Sequence, residues 1–324
     1  MIHGRSHIIL KMNELGKSGR PFIFLIDFDF QQALVYDWEE SKEHLLWKTP
    51  EHQNFEPKNN IKTELQWDVE PVSFDHYQKA FELVQRHIRY GDSFLLNLTL
   101  PSRVKTNLTL EELFYLGKAP YQVYLKDKFV CFSPEIFVRI ENRQISSYPM
   151  KGTIDANIPD AENQLITSKK ELAEHNTIVD LIRNDLSRIA SQVRVNRFCY
   201  IDKIHSNMTD LLQMSSEITG LLAENSRDQL GDLFARLLPA GSVSGAPKKK
   251  TIEIIRKAEQ YERGFYTGIF GVFDGTRVDS CVLIRFLEKE GDQLIFKSGG
   301  GITHLSQCED EYLELIKKIY VPVV

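Results

Sequence analysis

The chain has 324 residues, of which 42% are hydrophobic and 26% are charged, proportions typical of a globular protein with enough apolar material for a core. Its formal net charge of −5 argues against nucleic acid as the main ligand, because phosphate binding requires a basic field. No apolar run is long enough for a signal peptide or a membrane span, so we expect a cytoplasmic protein with no membrane partner.

The start of the chain predicts a small β-rich segment. Residues 22–26 and 33–36 are rich in β-branched and aromatic side chains and predict a hairpin, whereas the polar stretch 49–62 predicts a loop or linker. We therefore expect a short N-terminal segment over residues 1–70 and a larger domain over residues 71–324. The four cysteines lie far apart, which favours neither a disulfide framework nor a zinc site.

Helices and strands follow at the start of the larger domain. Ser73 is suited to cap a helix whose apolar residues recur at helical spacing until Gly91 ends it. After a strand that begins near Leu95, the predicted elements are a helix over 110–116 and strands over 121–125 and 129–132.

Two residues that follow these strands are candidates for catalysis. Lys151 stands between Pro149-Met150 and Gly152, on a stiff but irregular turn that can aim an amine. We interpret it as the reactive centre, the alternative being a solvated loop lysine. Glu135 lies between a proline and two apolar residues, where desolvation would raise its pKa and make it a proton donor. The alternative for Glu135 is a strand-end carboxylate in water.

Two predicted helices each carry a pair of glutamates three residues apart. Glu171 and Glu174 share a face of the helix predicted over 161–190, and Glu311 and Glu314 share a face of the C-terminal helix. Like charges so placed repel each other, and a cation bound between them would replace this repulsion with attraction. The two pairs together predict a Mg²⁺ site, with two solvated helix faces as the alternative.

Glycines and one arginine in the last third of the chain suggest ligand binding. Residues 239–248 form a loop rich in glycine and serine that runs into a helix. The backbone N–H donors of this loop suit a carboxylate or phosphate, the alternative being a simple capped turn.

Residues 267–297 predict an antiparallel meander with Arg285 inside the apolar central strand. A buried arginine meets either a protein carboxylate or an acidic substrate. The glycines at 299–301 let backbone approach a ligand closely, or end the strand.

Together these stretches resemble the chorismate-utilising enzymes, the family of anthranilate synthase component I, aminodeoxychorismate synthase component I and isochorismate synthase. The resemblance covers about residues 73–320. The most specific motifs are Ser133-Pro134-Glu135, Pro149-Met150-Lys151-Gly152-Thr153, Ala173-Glu174-His175, residues 178–186, residues 241–248, Arg263-Gly264-Phe265-Tyr266, Ile284-Arg285 and Gly299-Gly300-Gly301-Ile302.

The resemblance implies an α+β fold in which two large, mostly antiparallel β-sheets face each other with helices packed outside, and chorismate and Mg²⁺ lie between them. By position it implies Glu174 and Glu314 as direct metal ligands and Glu171 and Glu311 as holders of metal-bound water. The substrate-binding residues that it implies are Arg285, Tyr266, Thr153, Gly241, Ser242, Ser244, Gly245, Gly300 and Gly301.

Within this family, a lysine at position 151 marks the aminodeoxychorismate synthases, whereas the anthranilate synthases carry alanine there. The resemblance then implies that the amine of Lys151 adds to ring C2 of chorismate and that Glu135 protonates the departing C4 hydroxyl. Ammonia would replace the lysine, giving 4-amino-4-deoxychorismate for the synthesis of para-aminobenzoate and folate.

The sequence also departs from the family pattern. Leu95 stands where isochorismate synthases have a water-activating lysine and amine-forming members usually have glutamine. Gln213 replaces a frequent histidine linked to pyruvate elimination, Phe286 replaces a usual threonine, and His304-Leu305 replaces an aspartate-containing turn. Leu95 thus argues against isochorismate synthase, and Gln213 against an aromatised product.

The chain has no glutaminase signature of its own. No cysteine lies in a Gly-x-Cys-x-Gly nucleophile turn, so we expect ammonia to come from a separate glutaminase subunit as partner, or from solution at high pH. Residues 1–70 are then either a reduced regulatory subdomain or the docking surface for that subunit. The rival interpretations are anthranilate synthase component I and a non-catalytic chorismate-binding subunit, the second motivated by the departures.

Overall fold

The computed structural model describes residues 1–58, 64–204 and 210–323, without the side chains of Thr153, Lys170, Ile204 and Leu211. Residues 59–62 of the predicted linker lie outside the described residues. The protein has the predicted α+β class, with two large sheets and helices. Within the described ranges, no helix combines the length and the apolar character needed to span a bilayer.

The helices of the described part are α1 (Arg5–Ser18), α2 (Phe74–Tyr90), α3 (Leu110–Leu116), α4 (Ala161–Thr167), α5 (Lys169–Ser187), α6 (Leu230–Leu237), α7 (Gly241–Ser244), α8 (Lys248–Glu259) and α9 (Cys308–Lys317). The strands are β1 (Ile2–His3), β2 (Phe22–Ile26), β3 (Gln32–Asp37), β4 (Leu45–Lys48), β5 (Trp67–Glu70), β6 (Leu95–Thr106), β7 (Tyr121–Leu125), β8 (Phe129–Ser133), β9 (Ile136–Glu141), β10 (Gln144–Ser147), β11 (Met150–Asp155), β12 (Ser191–Ile204), β13 (Leu211–Leu221), β14 (Gly245–Ala246), β15 (Ile269–Phe273), β16 (Val278–Val282), β17 (Phe286–Glu290) and β18 (Gln293–Ile302).

The chain forms two compact units, each with one sheet. The first unit comprises Met1–Val35, Glu135–Ser242 and Gly271–Cys281. Its ten-stranded sheet has the order β1-β3-β2-β15-β16-β9-β10-β13-β11, and β12 also pairs with β13. Both β11 and β12 run antiparallel to β13, so β13 lies at the centre of the part of the sheet that carries Lys151.

The second unit comprises Tyr36–Pro134, Val243–Phe270 and Val282–Val324. Its eight-stranded sheet has the order β14-β6-β18-β17-β8-β7-β4, with β5 also paired to β6. The long strand β6 runs antiparallel to β18, and this register places the glycine run of β18 opposite residues 97–99.

Aromatic side chains fill the core of each unit. In the first unit, the rings of Phe24 and Phe234 meet edge to face with centroids 4.9 Å apart. In the second, the rings of Phe129 and Phe286 lie 4.5 Å apart. All four side chains are buried, and burial of each contributes about 1.5–3 kcal/mol to folding.

Local signals predicted several elements correctly. The Ser73 hydroxyl accepts the His76 N–H at the start of α2, and Gly91 ends that helix in the left-handed conformation. Strands β2, β3, β7 and β8 and helix α3 also lie where the sequence predicts them, within a residue or so. Such elements depend on neighbouring residues in the chain, which sequence patterns can report.

The continuous helix predicted over 161–190 is wrong, because the segment forms two helices. Ser168 has an extended conformation between α4 and α5, and its hydroxyl accepts the N–H of Glu171. A serine that bonds the backbone in this way caps a new helix instead of extending the old one. The apolar spacing continues across the break, which is why periodicity alone did not reveal it.

The predicted meander over 267–297 is also wrong. The segment forms two hairpins in different sheets, β15 with β16 and β17 with β18. Arg285 therefore lies between two strands and not inside one, with φ of 55°. The apolar run from 278 to 287 is continuous in the sequence, so it hides the point at which the chain leaves one sheet for the other.

Residues 1–70 are shared between the two units. Residues 1–35 supply α1 and the hairpin of β2 and β3 to the first unit, and β4 and β5 belong to the second. Helix α1 was not predicted, although Ile8, Met12 and Leu15 form a buried stripe at helical spacing. The division of the chain at residue 70 stays a prediction.

A buried histidine connects α5 to the first sheet. The side chain of His175 is fully buried, and its Nε2 lies 2.6 Å from the hydroxyl of Ser216 on β13. Burial, together with the positive charge of Lys151, lowers the pKa of His175 from 6.5 to about 4. The folded protein therefore holds a neutral imidazole beside the lysine at neutral pH.

This pKa shift predicts a pH dependence of stability. Between pH 6.5 and about 4 the unfolded chain binds a proton that folded His175 does not, so stability falls as the pH falls through this range. At about 1.4 kcal/mol per pKa unit, the loss is about 3 kcal/mol. Urea unfolding at several pH values should show a shallower acid loss for His175→Gln than for wild type. An unchanged slope would contradict the assignment, and His76→Gln, at an exposed position of α2, is the control.

Candidate active site

Lys151 lies on a bulge of β11. The register between β11 and β13 shifts between Lys151 and Thr153, and Gly152 has φ of 73°, which favours glycine. A bulge bends its strand and redirects a side chain. The lysine side chain is 24% exposed, and its Nζ lies 3.9 Å from Oε2 of Glu174 on α5. The bulge thus directs the amine towards the helix and largely out of solvent.

Glu171 approaches the same bulge. A Cβ atom at position 152 would lie 2.9 Å from Oε2 of Glu171 and 2.8 Å from Leu165 on α4. A side chain at this position would displace the carboxylate, so the glycine lets α5 approach β11 closely. The structure therefore brings Lys151, Glu171 and Glu174 together. For Thr153 it gives only the backbone, because the side chain lies outside the described part.

Glu135 lies between β8 and β9 and accepts a hydrogen bond from the hydroxyl of Ser242. Both residues line a small pocket in the first unit, together with Pro149, Asp185 and Gly241. The hydroxyl orients the carboxyl that the sequence predicts as proton donor. The proline of the lysine motif lines the same pocket, so this pocket adjoins the turn that leads to Lys151.

Asp185 was missed as a candidate. Its side chain is 5% exposed, and a Cβ at Gly241 would lie 3.0 Å from its Oδ2. The residue belongs to the motif over 178–186, but the sequence offered no reason to separate this carboxylate from the solvated ones on α5. The sequence did contain one signal that could have identified Asp185, namely a carboxylate within the apolar stripe of a helix.

Arg285 is held in a strained conformation in the second unit. Its positive φ costs energy for a non-glycine residue, and such strain concentrates at functional sites. The carbonyl of Arg285 accepts the N–H of Phe132, which fixes the backbone. The guanidinium lies over the ring of Tyr320, 5.4 Å from its centroid, and its buried Nε has no hydrogen-bond partner among the described residues. The arrangement suits an incoming anion.

Tyr266 lies near Arg285. It is 4% exposed, and its ring lies 5.9 Å from that of Phe286, the residue after the arginine. Burial raises the pKa of Tyr266 above its ordinary value, although the charges of Arg263 and Arg285 act in the opposite direction. The phenol therefore stays protonated at neutral pH and can donate a hydrogen bond.

The predicted loop rich in glycine and serine consists of the single turn α7 and the short strand β14. Gly241 and Ser242 belong to the first unit, and Ser244 and Gly245 to the second. Gly245 has φ of 129°, and a Cβ there would lie 1.9 Å from the carbonyl oxygen of Leu95. Only glycine fits against β6 at this position, and Ser244 is fully buried beside it.

Gly300 gives α9 close access to β18. A Cβ at this position would lie 3.3 Å from Oε1 of Glu314, 3.5 Å from Oε2 of Glu311 and 3.6 Å from Nζ of Lys318. The ammonium of Lys318 lies 2.6 Å from Glu314 and donates to the carbonyl of Gly299 at 2.9 Å. The two carboxylates thus converge on a glycine with a cation beside them. Gly301 pairs with Asn97 on β6.

The glutamates supply the ligand type that a hard divalent cation prefers. Mg²⁺ takes oxygen ligands, is often bound by only one or two carboxylates and keeps several waters. Glu311 and Glu314 bring carboxylate oxygens together beside Gly300, whereas Glu171 lies beside Gly152 and Glu174 beside Lys151. Among the described residues, no three His, Cys, Asp or Glu side chains form a group that could hold a metal ion. The carboxylates of either pair could supply the protein ligands for an ion that keeps its waters.

Comparisons with known proteins identify the family of the chain. The model of the family described as chorismate binding enzyme matches residues 18–323. An uncharacterized PabA-like protein of Pasteurella multocida is 51% identical over 97% of this chain and 98% of its own length. Aminodeoxychorismate synthase component 1 of Bacillus subtilis is 32% identical, over 77% of this chain and 55% of its own length.

A solved structure has the same fold. It is described as a 2,3-dihydroxybenzoate-specific isochorismate synthase of Bacillus anthracis, and it matches with a TM-score of 0.72 at 23% identity, over 97% of this chain and 86% of that one. At this identity the likeness concerns the fold alone. The family match extends over nearly the whole sequence, and the chain therefore belongs to the chorismate binding enzyme family.

Proposed function

We propose that the protein is the synthase component of an aminodeoxychorismate synthase, which converts chorismate and ammonia to 4-amino-4-deoxychorismate. The observation that carries this proposal is the position of Lys151 on the β11 bulge, with its amine 3.9 Å from the Glu174 carboxylate. A lysine held against a neighbouring helix is placed for chemistry more than for contact with water. The relationship to the Bacillus subtilis synthase supports the same activity.

In this proposal the deprotonated amine of Lys151 is the nucleophile. Its Nζ bonds to C2 of chorismate, both ring double bonds shift, and the C4–O bond breaks while Glu135 donates a proton to the hydroxyl, which leaves as water. Ammonia then bonds to C4, both double bonds shift back, and the bond between Lys151 and C2 breaks. The proton lost by the added ammonia returns to Glu135. The net reaction replaces the C4 hydroxyl with an amino group.

The acidic substrate requires cationic and backbone donors. We assign a substrate carboxylate to Arg285, whose planar guanidinium can bind it through two hydrogen bonds, and to the protonated hydroxyl of Tyr266. The further contacts that we propose come from Gly241, Ser242, Ser244, Gly245, Gly300, Gly301 and Thr153.

We propose Mg²⁺ as the cofactor, with Glu174 and Glu314 as ligands and with Glu171 and Glu311 bonded to its waters. When bound, it would neutralise the carboxylate on the substrate ring. The glycines at 152 and 300 contribute by leaving room for the carboxylates.

Replacement of Lys151 tests the proposal most directly. Chromatography of the products from chorismate, Mg²⁺ and ammonium should show 4-amino-4-deoxychorismate from wild type. Lys151→Ala should lower its rate by about 10²-fold or more, since the nucleophile is removed. Lys79→Ala, at an exposed position of α2, should leave the rate unchanged.

Other products would favour other members of the family. Anthranilate from wild type would replace the proposal with anthranilate synthase component I, and isochorismate would replace it with isochorismate synthase. Chorismate binding without turnover would favour a non-catalytic binding subunit. Full activity of Lys151→Ala would overturn the role of the lysine alone.

The metal assignment predicts a specific effect of a buried carboxylate. Glu311 is 4% exposed, and Glu311→Gln keeps its shape but removes the charge that would hold metal-bound water. We expect Mg²⁺ affinity, measured by calorimetry without turnover, to fall by about 10–100-fold. Glu253→Gln, on the exposed face of α8, is the control. Equal affinity in Glu311→Gln and wild type would remove Glu311 from the metal site.

The proposed glutaminase partner predicts a preference for free ammonia. The purified chain should form product with ammonium salts, most rapidly at alkaline pH where more of the salt is present as ammonia. It should not use glutamine until a glutaminase subunit is added. Product formation from glutamine by the purified chain alone would contradict the need for a partner.

A further inference from the structure

An ion pair lies fully buried in the second unit, between Arg263 and Glu259. Their side chains are only 2% and 1% exposed, and Nη2 of the arginine lies 2.6 Å from Oε1 of the glutamate. Burial alone would lower the pKa of Arg263, but the charge and hydrogen bonds of Glu259 raise it above its ordinary value. Charged pairs are removed from water only at a cost, so this one calls for an explanation.

Among the described residues, the guanidinium of Arg263 donates two hydrogen bonds to Glu259 and others to three further residues. The others go to the carbonyl of Val243 at 2.8 Å, the carbonyl of Asn97 at 2.7 Å and the hydroxyl of Thr267 at 3.2 Å. A planar arginine presents five N–H donors in a fixed fork, whereas a lysine presents three donors on one nitrogen. The residue therefore joins three separate segments of the chain.

Glu259 extends the network to the same strand. Its Oε1 accepts the backbone N–H of Thr99 at 2.8 Å and the hydroxyl of Thr99 at 2.9 Å. Asn97 and Thr99 are thus both held on β6, one by each member of the ion pair. The side-chain hydroxyl of Thr99 also lies 2.6 Å from the hydroxyl of Tyr261.

Each stretch that the ion pair holds adjoins residues assigned to the substrate. Val243 lies between Ser242 and Ser244, and Thr267 follows Tyr266. Asn97 and Thr99 lie opposite Gly301 and Gly299 in the β6–β18 ladder. One charged pair is therefore common to all of these segments.

We propose that Arg263 is a positioning residue, which with Glu259 sets the spacing of the backbone segments that hold the acidic substrate in the second unit. This inference rests on the proposed function, and it deepens that function by assigning a role to the arginine of the 263–266 motif. Arg263 acts through the segments that it joins and does not itself bind the substrate.

Arg263→Lys keeps the charge and removes the multiple donors, so it tests the geometry. We expect its dissociation constant for chorismate, measured without ammonia, to rise about tenfold, and KM to rise similarly with a smaller change in kcat. Amide hydrogen exchange of the ligand-free protein should accelerate at residues 97–99, 243–245, 266–267 and 299–301 and little elsewhere. Phe114→Leu, a core substitution on α3 in the same unit, should lower stability without this pattern.

A milder variant covers the case in which Arg263→Lys does not fold. Thr99→Val preserves the side-chain shape and the backbone N–H but removes the hydroxyl bond to Glu259, and it should change binding and exchange in the same direction by a smaller factor. Tight binding in both variants, or a weakening that Phe114→Leu reproduces, would overturn the inference.

The outcomes also separate this inference from the proposed function. Wild type that binds chorismate but forms no aminated product, together with weak binding by Arg263→Lys, would refute the function and support the inference. Aminated product from wild type, together with normal binding by Arg263→Lys, would support the function and refute the inference. Wild type that does not bind chorismate would overturn both.

Discussion

The close approach of helix α5 to the bulge of β11 is the constraint on which the candidate site of the first unit depends. Gly152 has no side chain, so the carboxylate of Glu171 can reach a place that a Cβ would block, and Glu174 comes to 3.9 Å from the amine of Lys151. The same helix places the neutral imidazole of His175 against the hydroxyl of Ser216 on β13. Burial is the main cause of the low pKa of this histidine, and the nearby Lys151 is the second.

The second unit has a similar close approach, made by different elements. Glu311 and Glu314 of α9 both approach Gly300 of β18, and Glu171 of α5 approaches Gly152. In both units a glutamate carboxylate meets a strand position without a side chain. A lysine ammonium also lies in each place, Lys318 beside Glu314 and Lys151 beside Glu174, and its positive charge offsets repulsion between neighbouring carboxylates.

The chain belongs to the chorismate binding enzyme family, and the structure shows where the residues that depart from the family pattern lie. Leu95 is 2% exposed and pairs with Ala246, and Phe286 is fully buried between Phe129 and Tyr266. Both are therefore core residues that border the segments assigned to the substrate. Gln213 pairs with Thr153 beside the bulge. These positions shape the surroundings of the lysine and the arginine without replacing either of them.

The sequence by itself determined the α+β class, the elements with clear local signals, and the residue types of the candidate site, because caps, glycines and i,i+3 spacing are properties of neighbouring residues. Tertiary structure alone decided the break at Ser168, the change of sheet before Arg285, the burial of His175 and Asp185, and the hydrogen bonds of Arg263. Each of these depends on which distant segment a residue meets. Apolar periodicity records that a residue is buried, but it does not record the partner against which it is buried.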